Sequence, residues 1–489
     1  MMTRSDLEMK HSEAGDLEKD LASQRFTCIL LDFDYTLFLD NSTERFLDGL
    51  RPRILAFLIC AFSDWLLQVL AWFRLCSYPV HRDFLRVSLS LLFMPWSLFL
   101  WRHQSKKFAR ESMNSWLLDR LPADREILVI SFGFAPLIRP LLDHAGLQDF
   151  HLIASEPGSG SGNLRRKGKG VALKEHLPED RREETLFITD SEDDAELLET
   201  MPHGRLIEWT EHSDPAFRKL YLPFRYTVEG KYAGSRYFTY QILLEDLALL
   251  FFAYTLSWPV AGTLILLFFS LYCIYEVGYY ENDHKGAQSE KHARVSAEAA
   301  AFPPLPPLRP WLWAVGSALL GWTFLSLMIA PLSPESVKGL RAAVGLWLCL
   351  LIFLRSIFWV FNRLKPVFRV PLFPLLHLFK VFPYAICIPL HLPGVILLFA
   401  QIISMTANYA AYRWCPTPRR LNRQAWRLIL FLLLAAAGFA LYPERMASPF
   451  PGWWVLVLSW GGIRALEHAR HKNIVRIVGE LLFPALRKE

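Results

Sequence analysis

Two aspartates, Asp32 and Asp34, stand one residue apart directly after the apolar run 28–31. Two carboxylates this close repel each other, which costs stability unless a cation or a chemical reaction uses them. A charged surface hairpin is the alternative, but strands that precede hairpins usually alternate between apolar and polar residues, and this run does not. The pair therefore predicts a catalytic or cation-binding site at the end of a buried strand.

Three further segments carry reactive side chains where a strand ends or a helix begins. Ser131 follows a second apolar run, Lys169 lies in a basic cluster at a helix start, and Asp190 and Asp194 follow another apolar run. Each has an ordinary explanation when taken alone: a helix-capping serine, a solvated charge run and an acidic N-cap. Because ligands bind outside the carboxyl ends of strands in open α/β sheets, four such segments in one domain favour a single shared site.

The order of these residues, Asp-x-Asp-x-Thr, then Ser, Lys and Asp-x-x-x-Asp, resembles the motifs of the haloacid dehalogenase superfamily of phosphohydrolases. The resemblance covers residues 26–210 and implies an α/β Rossmann-like domain with a helical cap inserted after the first motif. We place this cap at about 42–120, with apolar helices at about 53–73 and 84–101. Their length is borderline for crossing a bilayer, and helices that lie in the membrane interface are equally compatible with it.

The resemblance implies a role for each motif residue. Asp32 would be the nucleophile that takes up the phosphoryl group, and Asp34 the general acid and base. Ser131 would donate a hydrogen bond to the phosphoryl oxygens, and Lys169 would neutralise charge near Asp32, with Lys167 as the alternative lysine. These roles agree with phosphoryl transfer, which depends on positioning and charge neutralisation.

The resemblance also implies a magnesium site. Asp32 and Asp190 would bind Mg²⁺ together with the backbone carbonyl of Asp34, and Asp194 would support the ligand shell. Carboxylates, waters and phosphate oxygens are ligands that Mg²⁺ prefers. The seven cysteines form no Cys-x-x-Cys pair, so we expect free thiols and no zinc site.

The remainder of the 489 residues is strongly apolar. We divide the chain into a charged N-terminal segment at 1–25, a linker at 211–238 and a membrane domain at 239–466, followed by an amphipathic cytoplasmic tail at 467–489. Apolar blocks separated by short loops predict an all-α polytopic membrane domain of about eight helices. The expected spans are 239–257, 259–280, 311–332, 340–361, 370–391, 393–412, 426–442 and 452–466.

Basic residues are concentrated in alternate loops of this domain. By the positive-inside rule, these loops, both termini and the phosphohydrolase-like domain are cytoplasmic, as in a bacterial-type inner (plasma) membrane. The formal net charge of +6 lies mainly in these loops, so it indicates topology and not a nucleic-acid partner. The expected partners are the lipid bilayer, a prenyl or polyprenyl phosphate and a phosphorylated small molecule.

The segment 275–294 places acidic, amide and basic residues at the end of an expected span, where acids are costly unless they bind a metal or line a polar cavity. Its position and its Asn-Asp pair resemble the first Asp-rich motif of UbiA-type prenyltransferases, which hold a prenyl diphosphate or prenyl phosphate through Mg²⁺ at two such motifs. The usual four-residue spacing is not met, and the segment 412–427 contains no acid where a second motif would lie. Arginines that hold a phosphate directly, Arg413 among them, are the open alternative, as is an ordinary solvated loop. The candidate residues are Glu276, Glu281, Asn282, Asp283, Glu290, Lys291, Arg363 and Arg369.

Three functions are compatible with this organisation. The first is a bifunctional enzyme in which a UbiA-like domain transfers a polyprenyl phosphate and an Mg²⁺-dependent phosphatase acts on a lipid-linked or prenyl-linked phosphate ester. The second is an active phosphatase joined to a catalytically degenerate membrane anchor or lipid-binding domain. The third is a non-enzymatic membrane transporter or scaffold, against which the intact motif residues count.

Overall fold

The computed structural model describes residues 14–158, 162–209, 214–286, 288, 295–329, 334–414 and 422–471. The chain forms two compact units, with the division between Leu220 and Tyr221. The first unit combines a β-sheet with helices, and the second consists of helices.

A five-stranded sheet organises the first unit. Every neighbouring pair of strands is parallel, so the carboxyl ends of all five strands lie at one edge of the sheet, as the sequence predicts. The strands are β1 (Cys28–Asp32), β2 (Glu126–Phe134), β3 (His151–Ser155), β4 (Thr185–Thr189) and β5 (His203–Leu206). Their spatial order is β3-β2-β1-β4-β5, which makes the first strand of the chain the central one.

The central strand β1 is buried along its whole length, as is its neighbour β4. A parallel sheet has helices on both faces, which is why β1 has an unbroken apolar sequence and not an alternating one. Asp32 is the last residue of this strand and is 5% exposed. The helices of this unit are α1 (Ala14–Ala22), α2 (Ser42–Gly49), α3 (Arg53–Trp72), α4 (Tyr78–Phe93), α5 (Ser97–Glu111), α6 (Ser115–Leu118), α7 (Ala135–His144), α8 (Leu164–Lys167), α9 (Lys169–Leu173) and α10 (Ala195–Thr200).

Helices α2 to α6 all lie between β1 and β2, where the helical cap is expected. The predicted helix at 53–73 corresponds to α3. The prediction of one helix at 84–101 is wrong, because α4 and α5 are separated by a break and bent by 116°. Pro95 lies in this break, and proline cannot donate the backbone hydrogen bond that would continue a helix.

The second unit contains both long helices and short irregular ones. Three of its segments, Tyr226–Lys231, Phe238–Leu247 and Asn282–Gly286, are π-helical. The first of these lies within the predicted linker at 211–238, so the later part of that segment belongs to the second unit. The α-helices are α11 (Ala248–Ala253), α12 (Trp258–Glu281), α13 (Ala297–Ala300), α14 (Arg309–Ile329), α15 (Pro334–Phe361), α16 (Phe373–Val381), α17 (Leu392–Trp414), α18 (Arg423–Leu441) and α19 (Trp453–His471).

Within the described residues, six helices are long and apolar enough to cross a membrane, and the bent pair α4 and α5 would be a seventh if counted as one span. One of the six is α3, and the other five coincide with expected spans of the second unit. The five segments are Trp258–Lys285, Arg309–Met328, Arg341–Phe361, Leu392–Trp414 and Arg423–Leu441.

Two expected spans are not continuous α-helices. The segment 239–257 begins as a π-helix and its short α-helix ends at Ala253. The segment 370–391 is divided into a 3₁₀ turn, the nine-residue α16 and a second 3₁₀ turn, because it contains several prolines. The eighth expected span, 452–466, lies in α19, which is not among the six. The predicted tail at 467–489 lies outside the described residues beyond residue 471.

Candidate active site

Lys169 lies between two carboxylates at the carboxyl edge of the sheet. Its ammonium group donates to Asp32 Oδ1 at 2.9 Å and to Asp194 Oδ2 at 2.8 Å. All three side chains are buried, and a buried charge needs such partners because it has lost its hydration. The contact joins the end of β1 to the start of α9 and to the turn that follows β4.

The backbone at Gly168 determines which lysine reaches Asp32. Gly168 ends α8 with a φ of 87°, a left-handed value that glycine adopts without strain. Helix α9 then begins at Lys169 and directs it into the site. Lys167 stays exposed and pairs with Glu175 at 2.7 Å. The structure thus brings Lys169, and not the alternative Lys167, to Asp32.

Asp34 is held by groups from two other elements. Its Oδ1 accepts a hydrogen bond from the backbone N–H of Ser42 at 2.6 Å, at the start of α2. Its Oδ2 accepts a hydrogen bond from the hydroxyl group of Ser131 at 3.3 Å. Ser131 Oγ in turn accepts a hydrogen bond from the backbone N–H of Gly133 at 2.9 Å. Asp34 and Ser131 therefore lie side by side, and the serine hydroxyl is oriented by β2.

Replacing Gly133 by alanine tests how closely Asp34 must be positioned. A β-carbon at this position would lie 3.0 Å from Asp34 Oδ2, 3.0 Å from Ile138 Cδ1 and 3.1 Å from Ser131 Oγ, so these neighbours have to move by a few tenths of an ångström. We expect kcat to fall several-fold, which is less than the roughly 10²-fold loss that a misplacement of about 1 Å causes. The control is Gly15→Ala, where a β-carbon meets nothing within 4 Å. Equal activity of the two variants would show that the position of Asp34 is not critical.

Two threonines complete the arrangement of the acids. Thr36 Oγ1 donates to Asp190 Oδ1 at 3.0 Å and accepts from the backbone N–H of Asp190 at 3.1 Å. Thr189 Oγ1 donates to Asp194 Oδ2 at 2.7 Å. Neither threonine is among the site residues predicted from the sequence. Their positions in the sequence could have indicated a role, because Thr36 belongs to the first motif and Thr189 immediately precedes Asp190.

These residues line one cavity of about 240 Å³. Asp32, Asp34, Ser131, Lys169, Asp190 and Asp194 all contribute to its wall, as do residues of the cap helix α4. Asn163 Nδ2 donates to the carbonyl oxygen of Val80 at 3.1 Å, which fastens α4 beside the cavity. The structure therefore brings together all six of the residues predicted for the first unit.

Burial raises the pKa of three acids in this cavity. Burial raises the pKa of Asp34, against the hydrogen bond from Ser42, and raises the pKa of Asp190 to about 6, against the hydrogen bond from Thr36. Burial also raises the pKa of Asp32, although Lys169 opposes the shift. The raised pKa of Asp34 lets this carboxyl group keep its proton closer to neutral pH, which its proposed role as general acid requires.

The donor set at this edge of the sheet fits Mg²⁺. The Lys169 ammonium pairs with Asp32 and Asp194, whereas Asp34 and Asp190 also line the cavity and accept only uncharged hydrogen-bond donors in their described contacts. A divalent cation would offset this negative charge. Asp32, Asp190 and the backbone carbonyl of Asp34 offer the oxygen ligands that Mg²⁺ prefers. Asp194 pairs with Lys169 at 2.7 Å, so its described contact holds the lysine beside Asp32.

The acids expected to bind a metal in the second unit have other partners. Glu276 is fully buried. Its carboxylate accepts hydrogen bonds from the backbone N–H of Thr227 at 2.8 Å and from the Thr227 hydroxyl at 3.1 Å. Asp283 accepts from Lys231 at 2.5 Å and from the hydroxyl of Tyr226 at 2.7 Å. Both acids therefore hold the segment that precedes the first long helix. In neither unit do the described residues include a group of three or more His, Cys, Asp or Glu side chains that could hold a metal ion. The magnesium site considered for the first unit consists of two carboxylates and one backbone carbonyl.

The remaining candidates of the second unit have described contacts of several kinds. Glu281 pairs with Arg355 at 2.6 Å. Arg363 donates to the carbonyl oxygen of Trp359 in its own helix, and the buried Arg369 reaches Asn282 Oδ1 at 3.5 Å. The prenyl diphosphate site at these residues stays a prediction. Two candidates lie outside the described residues: Glu290 and Lys291.

Comparison with known proteins identifies the first unit. Residues 29–199 match the family model of haloacid dehalogenase-like hydrolases. This range includes the whole cavity with Asp32, Asp34, Ser131, Lys169 and Asp190, whereas the helices of the second unit lie outside it. No curated protein and no solved structure matches the chain. Residues 29–199 are therefore a haloacid dehalogenase-like hydrolase domain.

Proposed function

We propose that residues 26–210 act as a Mg²⁺-dependent phosphatase with Asp32 as the nucleophile. The observation that supports this most is the contact of Lys169 with Asp32 Oδ1 at 2.9 Å, in a cavity that also contains Asp34 and Ser131. The hydrolase family supports a phosphatase-type function. A nucleophile, a neighbouring acid and a buried cation are the groups that phosphoryl transfer requires.

The chemistry proceeds in two displacements. An oxygen of Asp32 attacks phosphorus, the bond to the leaving oxygen breaks, and Asp34 gives that oxygen its proton. Asp34 then accepts a proton from water, whose oxygen attacks phosphorus, releases phosphate and restores the Asp32 carboxylate. Ser131 donates a hydrogen bond to a phosphoryl oxygen, and Lys169 offsets negative charge beside Asp32. Bound Mg²⁺, held by Asp32 and Asp190, would neutralise further phosphate charge.

Phosphate release from an aryl phosphate tests this function. The purified full-length protein is expected to release phosphate in the presence of Mg²⁺ and to lose this activity when the metal is chelated. Activity that persists at full rate with excess chelator would contradict the metal requirement. Failure to release phosphate from any phosphate monoester would contradict the function itself.

We propose that the natural substrate is a phosphate ester on a lipid. The cap helices line the cavity and also expose large apolar side chains, which a protein surface rarely does without a partner. Helix α5 also exposes basic residues such as Lys106 and Lys107, as expected for a helix at an anionic membrane surface. The exposed apolar residues of this surface are Leu58, Phe62, Trp65, Trp72, Leu92, Phe93, Trp96 and Phe99.

Replacing Phe62 and Trp65 by serine tests the role of this surface. Both side chains are more than half exposed, so we expect little loss of stability and an unchanged rate with a soluble aryl phosphate. With a long-chain alkyl phosphate in vesicles, kcat/KM is expected to fall about tenfold or more, because two aromatic rings no longer enter the interface. An equal loss with both substrates would indicate damage to the active site, and no loss with either would exclude this surface from substrate capture.

Two functions are proposed for the second unit. Both place its apolar helices in a bacterial-type inner membrane, with the basic loops, the termini and the hydrolase domain on the cytoplasmic side. One is the UbiA-like transfer of a polyprenyl phosphate to a phosphorylated small molecule, and the other is lipid binding without transfer. The engagement of Glu276 and Asp283 with other groups supports the second function, since a metal-bridged diphosphate requires carboxylates that are free to bind Mg²⁺. Formation of a lipid-linked product from labelled polyprenyl phosphate would instead support transfer.

A further inference from the structure

The second unit contains a cavity of about 910 Å³, a volume typical of small-molecule sites. One part of its wall is aromatic and includes Phe358, Phe361 and Phe373. The other part is cationic, and Glu467 is the single acid among the described residues that line it. The lining cations are Lys231, Arg236, Lys380, Arg413, Arg423 and Arg464. The cavity therefore offers an apolar surface beside a concentration of positive charge.

Arg423 has no carboxylate among its described hydrogen-bond and ion-pair partners. Its guanidinium group donates to Gln241 Oε1 and lies 3.7 Å from the sulfur of Met405, both of which are uncharged. Its Nε is buried and has no hydrogen-bond partner among the described residues. Arg423 is also the first residue of α18, after the cap residue Asn422, where the helix dipole disfavours a positive charge. An anion bound here would offset both costs.

The acids beside two other lining cations already have their own partners. Lys380 is buried and pairs with Asp246 at 2.6 Å, and Arg464 pairs with Glu467 at 2.6 Å. These acids are therefore neutralised by their own partners. Charged residues this deep among helices long enough to cross a membrane are costly, and they usually mark a functional site.

We propose that this cavity binds an amphiphilic anion, with a phosphate-type headgroup at Arg423 and an apolar chain along the aromatic wall, without a divalent metal. Direct binding by arginine suits a phosphate because the guanidinium group donates two parallel hydrogen bonds. Metal bridging does not fit this cavity, because its described lining contains one acid and that acid is paired. This inference deepens the proposed lipid binding by the second unit and is independent of the chemistry at Asp32.

Binding of dodecyl phosphate to the full-length protein tests the proposal. The Asp32→Asn variant is used so that the probe is not hydrolysed, and inorganic phosphate and dodecanol serve as separate probes of the headgroup and the chain. We expect dodecyl phosphate to bind equally with Mg²⁺ and with excess chelator, and at least tenfold more tightly than either fragment. Loss of binding on chelation, or equal binding of dodecanol, would overturn the proposal.

Substitution of Arg423 tests whether the headgroup binds at this residue. Arg423→Gln is expected to weaken binding of dodecyl phosphate about tenfold or more, and Arg423→Lys, which keeps the charge, to weaken it less. Arg445→Gln, an exposed position outside the cavity lining, is the matched control and should bind normally. Thermal unfolding of each variant separates loss of the site from loss of the fold. Unchanged binding by a folded Arg423→Gln protein would overturn the assignment.

Phosphate release by the wild-type protein is measured separately from binding at this cavity. Failure of the proposed lipid site and failure of the proposed phosphatase activity are therefore distinguishable.

Discussion

Replacing Asp32 by asparagine is expected to reduce kcat for an aryl phosphate by at least about 10³-fold. An amide oxygen is a poor nucleophile, and loss of a nucleophile usually removes most of an enzyme's rate enhancement. The substitution keeps the shape of the side chain at the end of β1, so the fold should be retained. Initial rates of phosphate release, measured at saturating Mg²⁺, give the result.

The matched control for this variant is Asp124→Asn, an exposed aspartate that precedes β2. It should retain the wild-type rate, because Asp124 does not line the cavity. An Asp32→Asn protein that keeps more than about a tenth of the wild-type rate would show that another group attacks phosphorus.

Replacing Lys169 by methionine has the second largest expected effect. The change leaves Asp32 and Asp194 buried without their shared cation, and removal of one member of a buried ion pair typically costs about 3–5 kcal/mol. We expect kcat to fall about 10²-fold or more, because charge on the phosphoryl group near Asp32 is no longer offset. Phosphate release and the midpoint of thermal unfolding, measured on the same preparation, report the two effects.

Lys167→Met is the control for the lysine assignment. Lys167 lies two residues away, is exposed and pairs only with Glu175 in its described contacts. The rate should therefore change less than about twofold, since exposed ion pairs contribute little. A larger loss in Lys167→Met than in Lys169→Met would reverse the assignment of the two lysines.

The sequence was sufficient to predict the core of the first unit. An unbroken apolar strand before Asp32, and comparable strands before Ser131 and Asp190, predicted strand-end side chains in one domain, and the family resemblance implied the α/β Rossmann-like fold. The motif order identified the residues, and the structure brings them to one cavity. The sequence did not reveal the contacts of Thr36 with Asp190, because these residues are 154 positions apart and only the sheet order makes them neighbours.

The second unit was harder to predict because its polar residues depend on distant partners. The acids at Glu276 and Asp283 suggested a metal site, but the structure pairs them with Thr227 and Lys231 from a segment predicted to be a linker. Hydropathy alone predicted a span at 370–391, where the prolines interrupt the helix. The cationic cavity combines residues from several helices, and no single stretch of sequence contains its pattern.

The central claim is that the phosphoryl group is transferred to Asp32. Turnover of an aryl phosphate is quenched with acid, the trapped protein is reduced with borohydride, and the modified residue is located by peptide mass spectrometry. An aspartyl phosphate is an acyl phosphate, which borohydride reduces to homoserine, so homoserine is expected at position 32 and not at position 34. Homoserine at another aspartate, or its absence from a protein quenched while turning over, would contradict the account.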